Sequence, residues 1–419
     1  MFRIYPSKKQ ISRLHRTFQQ VTKVYNILLG EYEENYLESG TKFNKYDLCH
    51  RVIQIKRRYP ELKAVYAQVL QNCADRINKT FNNYFMRVRQ KDIGMRKKVG
   101  FPRFKKSLKS ITYPQDGFEI KGRNKVSISK IGNVRAVIHR IPEGKIKTMT
   151  IVHKRSDKWF VIFSCEETLP LLTQKNKGNE IGIDLGLESL LTFSDGTHVD
   201  NPRFNNLNKK QISKLRRSVD KKKIGSNNRT RANLRLSRKY EEIVNKKRDF
   251  LHKLTRELVS NYSTIAIEEL DISKLVEGGH FSKSINDASW GTFTNLLEYK
   301  AERAGVQVIK TGLFDATTKT CSRCGAKKDM PLSSRQYNCP HCGMSINRDI
   351  NAALNILNIS KIRAGQVRSY AWGDWISTCP KDKRIRSLNQ ELYSGTDSSV
   401  GNSAIRAGRM PLGRVSDAA

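Results

Sequence analysis

Ile181-Gly182-Ile183-Asp184-Leu185-Gly186-Leu187 is the stretch whose reading decides the fold. It reads as a buried strand with one acid set among apolar residues. A lone carboxylate there is costly unless something pairs with it, and the simplest partner is a cation. Ser189 to Phe193 reads as a second strand, and Asp195-Gly196 as a tight hairpin turn. Asp184 is therefore expected on a central strand with an antiparallel neighbour. The same opening also begins actin-like and sugar-kinase ATPase domains. Those need Gly-rich phosphate loops further on, and none follows.

The chain has 419 residues, enough for two or more domains. Its 78 Lys and Arg against 39 Asp and Glu leave a formal charge of +39. That excess implies a polyanionic partner, with nucleic acid the first candidate. A membrane partner is disfavoured, because there is no apolar run of about 18 residues and no lipidation signal. Met1 to Gln10 lacks the apolar core of a signal peptide, so a cytoplasmic protein is expected, nucleoid-associated when bound to DNA. Of eight Cys, four form Cys-x-x-Cys pairs, whereas Cys49, Cys73, Cys165 and Cys379 are scattered. This fits a reducing compartment better than a disulfide framework.

Phe2 to Tyr5 alternates like a short strand. Ile11, Leu14, Phe18, Val21, Tyr25, Leu28 and Tyr32 follow at helical spacing, ended by Ser39-Gly40, and a second helical run follows Pro60. Gly100-Phe101-Pro102 breaks the helices. From about residue 111 to 166, short alternating segments with Gly and Asn turns predict a small antiparallel barrel or sandwich, which the first strand could complete. Lys209 to Lys253 is the most basic stretch. Its apolar stripe predicts a helical pair laying a cationic track beside a phosphate backbone. Tyr262 to Ile267 and Val306 to Ile309 read as further strands, and Trp290 to Ala304 as a helix. Asn347-Arg348-Asp349-Ile350-Asn351 starts another helix. Periodicity is lost from about residue 364, and residues 364–419 read as a largely disordered tail in which Trp372, Trp375 and Ile376 could dock locally.

Cys321, Cys324, Cys339 and Cys342 have the spacing of a closed tetrahedral Zn²⁺ site. Such a site is structural, since no position stays open for water. His341 reads as a bystander. Whether the zinc unit grips nucleic acid or staples a loop is left open by the spacing. Asp184, Glu268 and Asp349 form the second constellation, three carboxylates from separated elements, as in ribonuclease H-like centres. Phosphodiester hydrolysis calls for two divalent ions about 3.5–4 Å apart, holding the attacking and leaving oxygens in line. Carboxylates are hard ligands suited to Mg²⁺. Asp184 is expected to bridge, with Glu268 and Asp349 flanking. Glu269 is the alternate to Glu268, but strand alternation points it to the other face.

The order of "GIDLGL", "IAIEEL", paired CxxC knuckles and "NRDINAALNIL" resembles the TnpB family of transposon-associated RNA-guided nucleases, related to the compact type V CRISPR effectors. "FRIYPSKKQ", "GFPRFK" and "DASWGTFTNLLEYKA" are also similar, so the resemblance runs to about Ile359. It implies a multidomain α+β chain. A wedge β-barrel (1–10 and 100–178) would carry an inserted helical recognition lobe (11–99). An RNase H-like (RuvC) α/β nuclease domain (179–317 and 345–363) would be interrupted by a zinc finger (318–344). It also implies a guide RNA from the transposon end and a short target-adjacent DNA motif read by protein. The family's acids fall on Asp184, Glu268 and Asp349. Asn347 departs from the Asp common in the family, and activity is expected to survive that change. Nucleic-acid contacts are expected at Gln68, Gln71, Arg76, Lys79, Arg103, Lys105, Arg216, Arg217, Lys221, Lys222, Arg235 and Arg238.

The expected function is Mg²⁺-dependent, RNA-guided cleavage of double-stranded DNA. A non-cleaving RNA-guided regulator is disfavoured because all three acids are present. A conventional transposase is disfavoured by the placement of the zinc unit and the missing DNA-binding head.

Overall fold

The computed structural model describes residues 1–93, 99–167, 178–277, 279, 281–312, 315–331 and 334–371, with side chains of the last helix described as far as Arg363. Residues 372–419, with Trp372, Trp375, Ile376 and Cys379, lie outside the described residues. The chain divides into two units, here residues 1–153 with 159–167 and residues 154–158 with 178–371.

In the first unit, β1 (Phe2–Tyr5) buries Phe2 and Ile4 and turns Arg3 and Tyr5 outward. A reciprocal Ser7–Gln10 cap opens α1 (Lys8–Ser39), and Gly40 closes it in the left-handed region at φ 66°. An Asn44–Asp47 capping box opens α2 (Lys45–Arg58). This helix went unassigned in the sequence, because only Leu48, Val52 and Ile55 mark its buried face. The helix α3 (Ala67–Asp92) follows a short 3-10 turn at Pro60–Ala64. Tyr32 of α1 stacks on Phe81 of α3 with centroids 3.6 Å apart, joining the helices through an apolar core.

Six strands follow: β2 (Ser110–Pro114), β3 (Phe118–Lys121), β4 (Lys125–Ile128), β5 (Gly132–Val137), β6 (Lys145–His153) and β7 (Trp159–Glu166). The seven-stranded sheet has the order β2-β6-β7-β1-β5-β4-β3, and every pairing is antiparallel. The N-terminal strand sits between β7 and β5, so α1 to α3 are an excursion between the sheet's first and second strands in the chain. The sheet is barrel-like without a closing pair, its edges being β2 and β3.

The second unit contains β8 (Glu180–Leu185), β9 (Ser189–Phe193), β10 (His198–Asp200), α4 (Phe204–Leu207), α5 (Lys209–Asp220), α6 (Asn227–Asn261) and β11 (Thr264–Ile267). It continues with α7 (Ile272–Glu277), α8 (Ser282–Ala288), α9 (Trp290–Ala304), β12 (Gln307–Lys310), β13 (Gln336–Asn338), β14 (Ser345–Asn347) and α10 (Arg348–Ala371). The main sheet runs β10-β9-β8-β11-β12. β9 is antiparallel to β8 and β10, whereas β8, β11 and β12 are mutually parallel. Parallel neighbours need long crossovers, and α6 and α9 lie in them. α10 reaches Ala371 although the apolar repeat stops near residue 364. Helix propensity extends a helix without an apolar repeat. No helix among the described residues is long and apolar enough to cross a membrane.

One expected nucleic-acid residue, Arg76, also has a structural partner. Arg76 donates from Nη1 to the Ser110 carbonyl at 2.8 Å and from Nη2 to the Ser110 and Thr112 hydroxyls, tying α3 to β2. Its position on the polar face of α3 hid this, because β2 is brought there only by the tertiary fold. Arg76→Ala should cost about 1 kcal/mol in urea unfolding, since it removes charge-assisted hydrogen bonds to half-buried acceptors. The salt dependence of nucleic-acid binding should stay unchanged, whereas a lost phosphate contact would lower its slope by about one.

Candidate metal centres

Strand alternation sorts the residues of β8. Ile181, Ile183 and Leu185 cluster with Leu251, Leu254 and Leu258 of α6 and with Phe293 and Leu297 of α9. Gly182 and Asp184 therefore face the other side, and α10 lies there. A Cβ on Gly182 would run into the Ala353 carbonyl and come within 2.9 Å of the Leu357 Cβ. Only glycine admits the helix backbone at this distance.

That contact sets the position of Asp349. From Gly182 to Asp184 is two residues, about 6.6 Å of strand. From Ala353 back to Asp349 is four residues, about 6 Å of helix. The two advances match, so α10 brings its first-turn acid over Asp184. β11 supplies the third acid: Ile267 pairs with Ile183 in parallel register, and Glu268 is the next residue after the strand, beside Asp184. Ile265 and Ile267 lie in the α6–α9 core, so Glu268 turns to the α10 side. Glu269 is exposed, as alternation anticipates.

Asp184 is 8 % exposed. Its carboxyl is pushed up to about 8, first by burial, then by the charges of Glu268 and Asp349, against the lowering effect of Arg348. Burial, and then the charge of Asp315, also raises Glu268. Asp315 was missed by the sequence reading. Its carboxylate accepts from the Gly312 amide at 2.7 Å and pairs with Arg363 at 2.9 Å. Asp184 and Glu268, both held against ionisation, offer hard oxygen donors of the kind that divalent cations take.

Asn347 caps α10, accepting from the Asp349 amide at 2.8 Å and the Ile350 amide at 3.4 Å. An amide oxygen serves here as well as a carboxylate. Arg335 was also missed. Its guanidinium lies 2.6 Å from Glu188 and 3.6 Å from Asp349, and Arg348 lies 3.5 Å from Asp349. These cations offset part of the acid charge.

Cys321, Cys324, Cys339 and Cys342 bring their sulfurs within 4.8 Å of one another. Cys321 and Cys342 are 3.7 Å apart, and Cys324 and Cys339 3.6 Å. A tetrahedral ion about 2.3 Å from each sulfur sets the sulfurs roughly 3.8 Å apart, so the cluster fits zinc. The Cys339 thiol is lowered, first by the Cys342 amide and, against burial, also by the His341 amide. Gly325 and Gly343, at φ 76° and 69°, let each knuckle turn back under its own cysteines. His341 is exposed and outside the cluster. Two buried asparagines of α10 hold this strap. Asn351 accepts from the Ser322 amide at 3.0 Å and donates to the Thr320 carbonyl at 2.8 Å; Asn355 donates to the Thr317 carbonyl at 2.7 Å. Two Asn four apart within the apolar run Ile350 to Leu357 was the available signal.

Of the remaining expected nucleic-acid residues, Gln71, Lys79, Arg103, Lys105, Arg217, Lys221, Arg235 and Arg238 are exposed, and Gln68 is half-buried. Arg216 is exposed but donates to the Tyr240 hydroxyl at 2.9 Å. Lys222 caps the end of α5 through the Ser218 carbonyl at 2.9 Å.

These features describe an α/β chain with an acid cluster and a four-cysteine strap on one helix. Three family models match it: OrfB_IS605, "Probable transposase", over residues 160–278; a Cas12f1-like TNB domain over 290–356; and the OrfB_IS605 helix-turn-helix domain over 1–41. The matched segments are similar to OrfB_IS605 and Cas12f1-like domains. Within residues 1–41 the structure has one strand and one unbroken helix. A Streptomyces pristinaespiralis protein named "Putative RNA-guided DNA endonuclease" is 29% identical over 413 residues, 94% of this chain and 96% of that protein. InsQ of Escherichia coli K12, named in the same way, is 28% identical over 85% of this chain and 90% of its own length. The cryo-EM structure of a Cas12f1–sgRNA–target DNA complex covers 85% of this chain and 98% of that one at 18% identity, with a TM-score of 0.34. A superposition that loose carries no inference about this chain.

The raised Asp184 carboxyl has a pH consequence. Between pH 4 and 8 the unfolded chain loses this proton before the folded one, so stability falls as pH rises through that window. In buffer without added divalent ions, Asp184→Asn should raise the Tm, by an amount that grows from pH 5 to pH 8. Added Mg²⁺ should stabilise the wild type and not the variant. Equal Tm values for the two proteins across that range would contradict the assignment.

For the strap, the wild-type chain should hold one zinc per molecule by elemental analysis. Cys339→Ser should lose it and unfold at lower temperature.

Proposed function

We propose that the chain is an RNA-guided DNA endonuclease. It binds a guide RNA, reads a short motif beside the target, and cuts guide-matched double-stranded DNA by metal-assisted phosphodiester hydrolysis. The observation that carries this reading is the meeting of Asp184, Glu268 and Asp349 on one face of β8 and β11 beneath α10. A sheet of three antiparallel strands followed by two parallel ones, with acids on the central strands and the facing helix, is what an RNase H-like, RuvC-type centre requires. The names of the full-length relatives support the same activity.

Asp184, Glu268 and Asp349 are the residues that would hold Mg²⁺. Bound there, Mg²⁺ supplies an activated water and stabilises the leaving oxygen. The protein's own part is to hold the buried Asp184 beside the charges of Glu268 and Asp349, where a bound cation relieves the crowding of negative charge. Arg335 and Arg348 offset the acid charge from the side. Asn351 and Asn355 anchor the zinc strap, and with it Arg335, to the helix that carries Asp349. The exposed cations of α5 and α6, among them Arg217, Lys221 and Arg235, would follow the phosphate backbone. Sequence discrimination would come from guide pairing, leaving the protein to read shape and the short motif.

Asp184→Ala should abolish cleavage of guide-matched DNA in Mg²⁺ and leave the copurifying RNA in place. Wild-type cutting by this variant would remove Asp184 from the centre. Joined DNA products formed without RNA would replace the reading with that of a transposase.

A further inference from the structure

Strand β12 ends beside the acid cluster, and the residue that follows it is a buried threonine with no part in the site so far. Thr311 is 1% exposed. Its hydroxyl oxygen is buried and meets no hydrogen-bond partner among the described residues. A hydroxyl taken from water without a partner is destabilising, and folded chains keep few such groups.

Alternation along β12 gives the direction of this hydroxyl. Val308 packs on the α6–α9 core, and Lys310 reaches Glu298 of α9 at 2.5 Å. Thr311 therefore turns to the opposite face, where α10 and the acids lie. The register gives its neighbour. Lys310 pairs with Ile267 in the parallel ladder, so Thr311 stands level with Glu268. The Thr311 amide donates to the Ile267 carbonyl at 2.9 Å, which carries the pairing one residue past the strand. Neighbouring strands lie about 4.8 Å apart, so side chains level with each other on one face are within reach.

The backbone here is held on every side. The Lys310 carbonyl accepts from Arg363 Nη1 at 2.8 Å, and the Gly312 amide donates to Asp315 at 2.7 Å. Asp315 in turn accepts from Arg363 Nη2 at 2.9 Å. Residues 310, 311 and 312 are thus tied to α10, to β11 and to the loop after β12, and Thr311 has little freedom to seek another partner. Glu268 has a use for its hydroxyl. Burial and the charge of Asp315 both work against the Glu268 carboxylate. An ionised Asp315 can only accept, so it offers Glu268 no hydrogen bond, whereas a hydroxyl can donate. A carboxylate that grips a metal ion is itself oriented by hydrogen bonds from outside the ligand set.

We propose that Thr311 is a positioning residue for Glu268: its hydroxyl donates to the Glu268 carboxylate when that carboxylate holds a divalent cation. The inference rests on the proposed metal centre and adds to it a neutral residue that touches no metal. The Thr311 hydroxyl and the Glu268 carboxylate are not bonded in this structure, so the bond is one that the metal-holding orientation of Glu268 would make.

The test uses the full-length chain freed of RNA, with Mn²⁺ as the probe ion followed by electron paramagnetic resonance. Asp184→Ala shows which part of the binding belongs to the acid centre. Thr311→Val keeps the branched shape without the hydroxyl and should weaken that part about tenfold or more. Thr311→Ser keeps the hydroxyl and should stay within about twofold of the wild type. Melted without added divalent ions, Thr311→Val should have a Tm equal to or above that of the wild type, since it removes an unpaired polar group. Wild-type affinity in Thr311→Val, or an equal loss in both Thr311 variants, would overturn the proposal. So would a lower metal-free Tm for Thr311→Val, which would give the hydroxyl a place in folding instead. If Asp184-dependent binding and guided cleavage both hold in that case, the nuclease reading stands without Thr311. If the wild type shows no Mn²⁺ binding that Asp184→Ala removes, the metal centre itself fails, and this role for Thr311 with it.

Discussion

How closely a helix backbone can lie on a strand governs the whole acid cluster. Gly182 has no Cβ, so the Ala353 carbonyl and Leu357 settle directly on β8. Any side chain at that position would lift α10 and carry Asp349 away from Asp184. The similar advances of strand and helix then do the rest, because four residues of α10 span about 6 Å and two residues of β8 about 6.6 Å. A residue with no chemistry of its own thus decides where the chemistry can occur.

The cluster is held against its own electrostatics. Burial and two neighbouring acids push the Asp184 carboxyl up to about 8. Such a group is destabilising when ionised alone, and a folded chain keeps it only where cations return. Arg335 and Arg348 supply part of that compensation beside Asp349. Arg335 comes from the cysteine strap, which Asn351 and Asn355 bind to α10. Strap, helix and acids are therefore one mechanical piece, which gives the four cysteines a role in positioning as well as in folding.

Much of this was readable from local pattern. The acid in an apolar strand, the Asp195-Gly196 turn, the paired knuckles and the helical stripes each leave a mark within a few residues, and β8, β9, α5, α6 and α9 lie where that pattern puts them. The helix α2 escaped notice because its buried face shows only three residues. The tie from Arg76 to β2 leaves no local mark, because a cation on a polar helix face looks the same whether it meets a phosphate or a carbonyl. Asp315 and Arg335 carry little local signal; their ion-pair partners Arg363 and Glu188 come from distant parts of the chain.

The sequence by itself determined the residue types and the periodicities: strands that alternate, helices that cap, thiols at ligand spacing and three acids in apolar settings. These are short-range properties, set by backbone geometry and side-chain chemistry over one or two turns. Only the tertiary structure decided which face of β8 meets α10, which of Glu268 and Glu269 turns to Asp184, and which arginines answer the acids. Those outcomes depend on strand register and on the approach of one backbone to another, and neither is written in any single stretch of the chain.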